Sequence, residues 1–294
     1  MKKSFRIALG ILLTAVFLVG LGTLARQGFL AAKNNISNQT AQELVDLPDT
    51  PPPLQEAPPS STEPSPPPGT EPAITPEPGF YDPYAASLLD LDLSALQAVN
   101  SDVIGWISIP DTPISYPLLQ GTDNNYYLNH AWDRVYNPGG SIFLEYKNRP
   151  DLNNFNTIIF GHRMSDSSMF NSLRHYSGQE YLESHPRVYI ATTEGVRVYR
   201  IFAAMTVTVT DPVYWLITTQ EKYKQPMIDF CLEHSVLKTD LIPSAEARFL
   251  TLSTCTGLTV TDDRWVVVAV EEGILSRSTK FHDQLQSTEL TGAL

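Results

Sequence analysis

Residues 251–255 read Thr-Leu-Ser-Thr-Cys, and Arg264 follows a short distance further along the chain. Cys255 ends an apolar, strand-like run and Arg264 opens the next one, so two adjacent strands would bring the thiol and the guanidinium side by side. A nucleophilic thiolate needs a nearby cation or helix N-terminus that lowers its pKa. A tetrahedral intermediate also needs donors directed at its oxyanion. The stretch therefore predicts a reactive cysteine at the end of a strand.

A histidine that transfers a proton would complete such a site. His162 is the best candidate, because the apolar run 156–160 ends in Gly161 and lets the next side chain emerge at the rim of a sheet. A single histidine at a strand end is also typical of a purely structural role. The other histidines lie in polar or helical contexts, at positions 130, 175, 185, 234 and 282. His and Cys lack the close spacing of zinc ligands, and no acidic cluster suggests calcium, so we predict no metal and no other cofactor.

Short apolar runs bounded by turn residues predict a mainly β domain from Phe80 to about Gln286, followed by a polar tail at 287–294. The predicted strands are 104–109, 114–119, 141–145, 157–161, 187–192, 196–208, 248–253 and 264–270. Glu194-Gly195 indicates a hairpin. Helices are predicted at 85–99 (one or two), 124–128, 169–173, 179–184 and 219–237. Many short strands with few helical insertions favour a closed or nearly closed β-barrel.

The N-terminal 33 residues are typical of a membrane anchor. Lys2, Lys3 and Arg6 precede the uncharged apolar run 7–24, whose length of about 18 residues is at the short edge of a spanning helix. Basic residues before the run place the N-terminus in the cytoplasm and the rest outside. A cleaved signal peptide is the alternative, but 24–27 (Leu-Ala-Arg-Gln) is a poor cleavage site. We therefore expect a single-pass anchor.

Residues 34–79 are predicted to be an extracellular stalk. From 47 onward the composition is Pro, Ser, Thr and Glu, and this stretch holds more than half of the chain's 23 prolines. Such a segment cannot bury a core and favours extended polyproline II. Pro66-Pro67-Pro68 would alternatively suit a proline-recognising domain. No Lys or Arg occurs between Lys33 and Arg134, so most of the net charge of −12 lies here, and nothing indicates nucleic-acid binding.

The chain has only two cysteines, Cys231 and Cys255. A domain outside the membrane experiences oxidising conditions, which would permit a disulfide between them. Cys231, however, lies on the apolar face of a predicted amphipathic helix, where a buried free thiol behaves as a small hydrophobe. We favour the free thiol.

From about Asn100 to Val270 the chain resembles the class B sortases, cysteine transpeptidases of Gram-positive bacterial surfaces. The stretches that carry the resemblance are NSDVIGWI at 100–107, DNNYYLNH at 123–130, GSIFLEY at 140–146, NTIIFGHRM at 156–164, SMF at 168–170 and TLSTC at 251–255. The loop 256–263 varies in the family, so Arg264 is assigned by its place before the apolar run 265–270. Arg248 is its rival, but it comes too early in the cysteine strand.

The resemblance implies an eight-stranded sortase barrel with N-terminal helices and a long helix, 219–237, inserted before the cysteine strand. It also implies an activity. Cys255 would attack a Thr–Gly-type bond in the sorting signal of a secreted protein and form an acyl-enzyme, and His162 would act as general acid and then base. Arg264 would stabilise the oxyanion and bind the substrate. The residues implied for the peptide groove are Asn124, Leu128, Tyr214, Ser253 and Thr256.

The acceptor implied by the resemblance is an amine, either on a cell-wall precursor or on a pilin lysine. The sequence leaves wall anchoring and pilus polymerisation open. Two rivals use the residues differently. A hydrolytic cysteine protease of the papain type would need a Cys-Gly-x-Cys-Trp context, which is missing here. A non-catalytic binding module would retain its activity without the thiol of Cys255.

Overall fold

The computed structural model describes residues 2–45, 47, 80–216, 221–255 and 263–277. Five α-helices occur in these ranges: α1 (Lys2–Val45), α2 (Pro83–Leu88), α3 (Ser94–Val99), α4 (Gln179–Ser184) and α5 (Lys224–His234). The eight strands are β1 (Val103–Ser108), β2 (Ser115–Leu119), β3 (Ile142–Leu144), β4 (Asn156–Phe160), β5 (Arg187–Ala191), β6 (Gly195–Thr208), β7 (Phe249–Cys255) and β8 (Asp263–Ser276).

The strands form a closed barrel in the order β1-β2-β3-β4-β7-β8-β6-β5, which confirms the predicted fold. The pairs β2–β3 and β4–β7 are parallel and the other neighbours are antiparallel. The hairpin predicted at 194–195 joins β5 to β6. Closure pairs every strand on both sides, so the barrel has no open edge.

The strands carry apolar residues on both faces, because one face is buried in the barrel interior and much of the other is covered by helices. Alternate residues such as Ile107, Leu252 and Val267 pack together in a cluster drawn from all eight strands, which is the filled barrel interior. Outward-facing residues pack under helices: Trp106 lies with residues of α1, α2 and α3, and Val266 lies with residues of α5. This double burial explains the unbroken apolar runs in the sequence.

Some predicted elements have different bounds. The helix predicted at 219–237 is the shorter α5, preceded by a 3₁₀ turn at Glu221–Tyr223. Pro226 lacks a backbone N–H and is tolerated only in a first turn, so the helix begins at Lys224. It ends where Ser235 becomes extended. The helices predicted at 124–128 and 169–173 are 3₁₀ turns, at Tyr126–Leu128 and Asn171–Ser177.

Strand β8 is longer than predicted because ion pairs cover its polar second half. Glu271 accepts from Arg197 Nη1 at 2.7 Å, and Glu272 accepts from Arg187 Nε at 2.5 Å. The Arg197–Glu271 pair is almost fully buried, with side chains 5% and 7% exposed. Acidic residues that a periodicity argument places outside a strand are therefore part of the barrel wall.

Residues 34–45 of the predicted stalk segment belong to α1; the extended polyproline II form is predicted only from residue 47 onward. Of the rest of that predicted stalk, residues 48–79 lie outside the described part of the chain, as does the predicted tail at 287–294. The predicted anchor 7–24 falls within α1, but most of its side chains are also outside the described part. Among the described residues, no helix combines the length and the apolar character needed to cross a membrane.

Candidate active site

The parallel pairing of β4 with β7 places the predicted histidine level with the predicted cysteine. Phe160 is in register with Ser253, and the Gly161 N–H donates to the Ser253 carbonyl at 3.1 Å. Two residues further along each chain, the backbone of His162 comes level with that of Cys255. The two residues are far apart in sequence, and their strands end at the same rim of the barrel.

The antiparallel pairing of β7 with β8 brings Arg264 to the same point. Cys255 and Arg264 are directly opposite each other in the ladder, and the Arg264 Nη1 donates to the Asp263 carbonyl at 3.1 Å. The thiol of Cys255 is outside the described part of the side chains. Arg248 precedes β7 at the other end of the strand and donates to Glu271 at 3.0 Å, so it is excluded as the arginine at the cysteine.

The ring of His162 is held by a backbone carbonyl. Its Nε2 lies 2.7 Å from the Leu128 carbonyl oxygen, and because a carbonyl only accepts hydrogen bonds, Nε2 carries the proton. The other ring nitrogen, Nδ1, is then the one that exchanges a proton with a reacting group. Leu128, predicted as a groove residue, thus also orients the histidine through its main chain.

Gly140 supports the turn that presents this carbonyl. It has φ +59°, a left-handed conformation that side chains rarely adopt. Its N–H donates to the Asn137 carbonyl, while the next N–H, of Ser141, donates to the Tyr127 carbonyl, both at 2.9 Å. A Cβ at this position would lie 2.8 Å from the Leu128 oxygen. Only glycine therefore permits this close packing behind the Leu128 carbonyl.

Gly161 is required for a different reason. A Cβ here would lie 2.7 Å from the Phe170 ring, which is itself fully buried. The backbone after Gly161 is fixed too, because the Phe170 N–H donates to the His162 carbonyl at 2.9 Å. The loop that follows the histidine therefore returns to it and packs against it.

A cavity of about 370 Å³ opens beside these residues. Two of the three predicted catalytic side chains, those of His162 and Arg264, line this cavity. Four of the five predicted groove residues line it as well. The lining residues are Asn124, Leu128, Phe143, Glu145, Ile158, Phe160, Gly161, His162, Val209, Tyr214, Leu216, Ser253, Thr254 and Arg264. The fifth groove prediction, Thr256, lies outside the described residues.

Tyr214 is joined to the cysteine strand by a hydrogen bond of 2.6 Å between its hydroxyl and the Ser253 Oγ. The 3₁₀ turn that carries it is held by Asn156, whose Nδ2 donates to the Val213 carbonyl at 2.8 Å. The Oδ1 of Asn156 accepts from Thr251 at 2.9 Å. One buried amide therefore connects β4, β7 and the Tyr214 turn.

Glu145 is a lining residue that the sequence argument did not single out. It is buried, and its carboxylate accepts a short hydrogen bond from Asn124 Nδ2. The Asn124 Oδ1 in turn accepts from the Tyr146 N–H at 3.0 Å. The amide of Asn124 is thus fixed at both ends. The cavity carries a carboxylate as well as the cationic Arg264.

The second thiol is unsuited to nucleophilic chemistry. Cys231 is a free, fully buried cysteine on α5, and burial raises its pKa to about 12. This confirms the predicted buried thiol and excludes the disulfide. Reactive cysteines need a lowered pKa and access to solvent, so Cys255 is the candidate nucleophile.

The fold and this rim have clear relatives. The sortase domain family matches residues 107–272. The sortase B of Listeria monocytogenes is 37% identical over 168 residues, which cover 56% of this chain and 67% of that protein. The sortase B of Staphylococcus aureus is 33% identical over 176 residues, 60% of this chain and 72% of that protein.

A solved structure agrees with these relatives. A complex of Staphylococcus aureus sortase B with substrate superposes with a TM-score of 0.58 at 32% identity, over 63% of this chain and 84% of that one. The family match at 107–272 spans more than half of the chain, and the sequence relatives and the solved structure agree on the same class. The chain therefore belongs to the class B sortases, which are cysteine transpeptidases.

Proposed function

We propose that this chain cleaves a sorting signal in secreted proteins and transfers the protein to an amine, with Cys255, His162 and Arg264 as its catalytic residues. The observation that carries the proposal is the strand register. Cys255 lies opposite Arg264, and the β4–β7 pairing brings His162 level with both. A nucleophile, a proton carrier and a fixed cation then meet at one rim, which is what acyl transfer requires.

In the first half-reaction, the Cys255 thiolate attacks the scissile carbonyl carbon and forms a C–S bond. The tetrahedral intermediate collapses as the C–N bond breaks, and the leaving amine takes a proton from His162 Nδ1. A thioester remains on the enzyme. In the second half-reaction, the acceptor amine loses a proton to Nδ1 as it attacks the thioester, and the thiolate leaves. Retention of Nε2–H on the Leu128 carbonyl keeps Nδ1 available in both steps.

Arg264 is proposed to stabilise the oxyanion. Its guanidinium cannot deprotonate near neutral pH, so its positive charge is present throughout the cycle. An arginine beside the thiol also favours the thiolate form. A positioned donor of this kind is worth about 10²–10³ in kcat where it has been removed from other acyl-transfer enzymes.

The peptide is proposed to bind in the cavity lined by Asn124, Leu128, Tyr214 and Ser253, with the Thr256 N–H as a second donor at the oxyanion. The lining of the cavity supports the four groove residues, whereas Thr256 lies outside the described residues. The hydrogen bond between Tyr214 and Ser253 would hold the wall of the groove beside the strand that bears the nucleophile.

We further propose that residues 7–24 anchor the enzyme in the cell membrane, with the N-terminus in the cytoplasm and the barrel outside. The run has no charged residue and follows three basic ones, as the positive-inside rule requires. Within it, Val16, Phe17, Val19 and Leu21 have exposed side chains on α1, and clustered exposed apolar residues mark a surface that contacts a membrane or a partner. The acceptor amine would then be supplied by a cell-wall precursor.

The test incubates the protein with a library of sorting-signal peptides and with amine acceptors of both kinds, cell-wall precursor mimics and lysine peptides. Mass spectrometry should find a thioester adduct on Cys255 and an amide-linked product. Cys255→Ala should abolish the adduct, whereas Cys231→Ala should keep it. His162→Ala should lower turnover by at least about 10², while His234→Ala, an exposed histidine on α5, serves as the matched control. Absence of any adduct under reducing conditions would refute the proposal.

A further inference from the structure

The last part of α1 is a built component of the catalytic domain. Residues 33, 37, 41 and 45 recur every fourth position and so lie on one face of the helix. Each of them contacts the catalytic domain, either its strands or the connection between β2 and β3. Ala41 is fully buried and Val45 is 3% exposed. Both belong to the hydrophobic cluster that also contains Trp106 of β1 and Leu96 of α3.

Polar contacts fix the same face. The Trp132 indole N–H donates to the Ser37 carbonyl at 2.8 Å, and Lys33 Nζ donates to the Tyr136 carbonyl at 3.0 Å. One position beyond Ala41, Gln42 Nε2 donates to the Ser115 carbonyl of β2 at 3.1 Å. Three hydrogen bonds and two buried apolar residues therefore join about three turns of α1 to the catalytic domain. They set both the position and the rotation of the helix.

The chain is also fixed on the far side of the proline-rich segment. Phe80 packs against the same cluster as Val45 and Leu47, and its ring lies so close to Gly273 that a Cβ there would be 2.7 Å away. Shortly after, Asp82 caps α2 through the Ala85 N–H at 2.9 Å. Leu47 and Phe80, the described residues on either side of 48–79, therefore pack against one hydrophobic cluster.

We propose that α1, rather than the proline-rich segment, is the tether between the N-terminal anchor and the barrel. The difference in length is large. If residues 48–79 were the tether in polyproline II form, they would reach about 100 Å at 3.1 Å per residue. Between the end of the apolar run at 24 and the first barrel contact at Lys33, the helix adds only about 13 Å at 1.5 Å per residue.

The consequence concerns substrates. A continuous helix holds the barrel, and with it the catalytic cavity, at a fixed height and orientation just outside the bilayer. Such an enzyme acts on sorting signals presented close to the membrane surface, whereas a long flexible stalk would sweep a much wider zone. The height above the bilayer rests on the anchor proposed above, but the docking of α1 on the barrel does not.

The experiment measures the distance between spin labels in the full-length chain, in detergent and in nanodiscs. A Cys255→Ala background carries labels at Gly28→Cys, on the part of α1 before the barrel contacts, and at Glu183→Cys, on the exposed side of α4. We expect one narrow distance distribution. It should persist when residues 48–79 are replaced by about ten Gly and Ser residues, a flexible linker, because the helix carries the connection.

Val45→Asp should broaden the distribution by detaching the helix, and Leu44→Asp is the matched control, since Leu44 is 41% exposed on the same turn. A broad distribution in the starting protein, or a changed distance after the loop replacement, would overturn the proposal. If Val45→Asp does not fold, the loop replacement decides by itself. Flotation with vesicles tests the anchor separately: failure to float refutes the anchor, and the distances in detergent then decide whether α1 is docked on the barrel.

Discussion

Replacing Gly140 with alanine should impair catalysis although this residue does not line the cavity. Its φ of +59° costs an L side chain about 1–2 kcal/mol. The new Cβ would clash most closely with the Tyr127 carbonyl oxygen and would lie 2.8 Å from the Leu128 oxygen. Both carbonyls must then shift, and the Leu128 carbonyl by about half an ångström, to restore van der Waals contact. The same oxygen accepts the His162 Nε2 hydrogen bond of 2.7 Å, which the movement stretches or breaks at a cost of about 1 kcal/mol. The unfolding free energy should fall by about 2–3 kcal/mol.

The effect on kcat should be larger than this loss of stability suggests, because a misplacement of about 1 Å in a catalytic group can reduce the rate by about 10². Steady-state kinetics on a cleaved peptide should show a loss of kcat of about 10- to 100-fold. Gly178→Ala is the matched control, since its Cβ would meet only the His175 oxygen at an ordinary 3.6 Å. A folded Gly140→Ala variant with the wild-type kcat would refute the reasoning.

Three further substitutions test other contacts. Tyr214→Phe removes the 2.6 Å hydrogen bond to Ser253 and should raise KM about 3- to 10-fold. One such bond contributes about 1 kcal/mol, so the melting temperature should fall by only about 2–4 °C; an unchanged KM would contradict this role. Glu271→Gln leaves the buried Arg197 without its counter-ion. Urea unfolding should show that the free energy of unfolding falls by about 3 kcal/mol; a loss of less than about 1 kcal/mol would mean that the ion pair is dispensable. Because burial raises the pKa of Cys231 to about 12, a maleimide at pH 8 should label only the other cysteine of the native protein. In the unfolded state the Cys231 thiol loses its proton at a lower pH than in the folded state, so the free energy of unfolding should fall as pH rises between about 9 and 12. This fall should be less steep in Cys231→Ala. Maleimide labelling of Cys231 in the native protein would contradict its burial.

The proposed catalytic residues could be identified from sequence because each lies at the beginning or end of a strand with a clear apolar pattern. Cys255 ends one strand and Arg264 lies at the start of the next, so the two residues face each other if the strands pair as antiparallel neighbours. The pairing of β7 with β8 confirms this arrangement. His162 follows the same logic at the end of β4. The orientation of its ring could not be predicted, because it depends on a main-chain carbonyl at Leu128, and a carbonyl leaves no mark in the sequence.

The bounds of the helices and of β8 were harder to predict because tertiary contacts override local pattern. Glu271 reads as the end of a strand, yet a buried arginine compensates its charge inside the barrel wall. Residues 34–45 have no strong amphipathic signal and precede a proline-rich stretch, so they read as part of a stalk. Their helix is stabilised by contacts with residues distant in sequence, such as the hydrogen bond from the Trp132 indole to Ser37 across 95 positions.

The parallel pairing of β4 with β7 explains how this barrel brings the candidate site residues to one rim. The chain runs along β4 and β7 in the same direction, so both strands reach the same rim, and β8 starts there because it is antiparallel to β7. Were β4 antiparallel to β7, the residue after β4 would emerge at the opposite rim, about 16 Å away for a five-residue strand. No side-chain adjustment spans that distance. The crossover that makes β4 and β7 parallel is therefore the feature of the topology on which the proposed chemistry depends, and substitutions that weaken the β4–β7 pairing should reduce activity before they unfold the barrel.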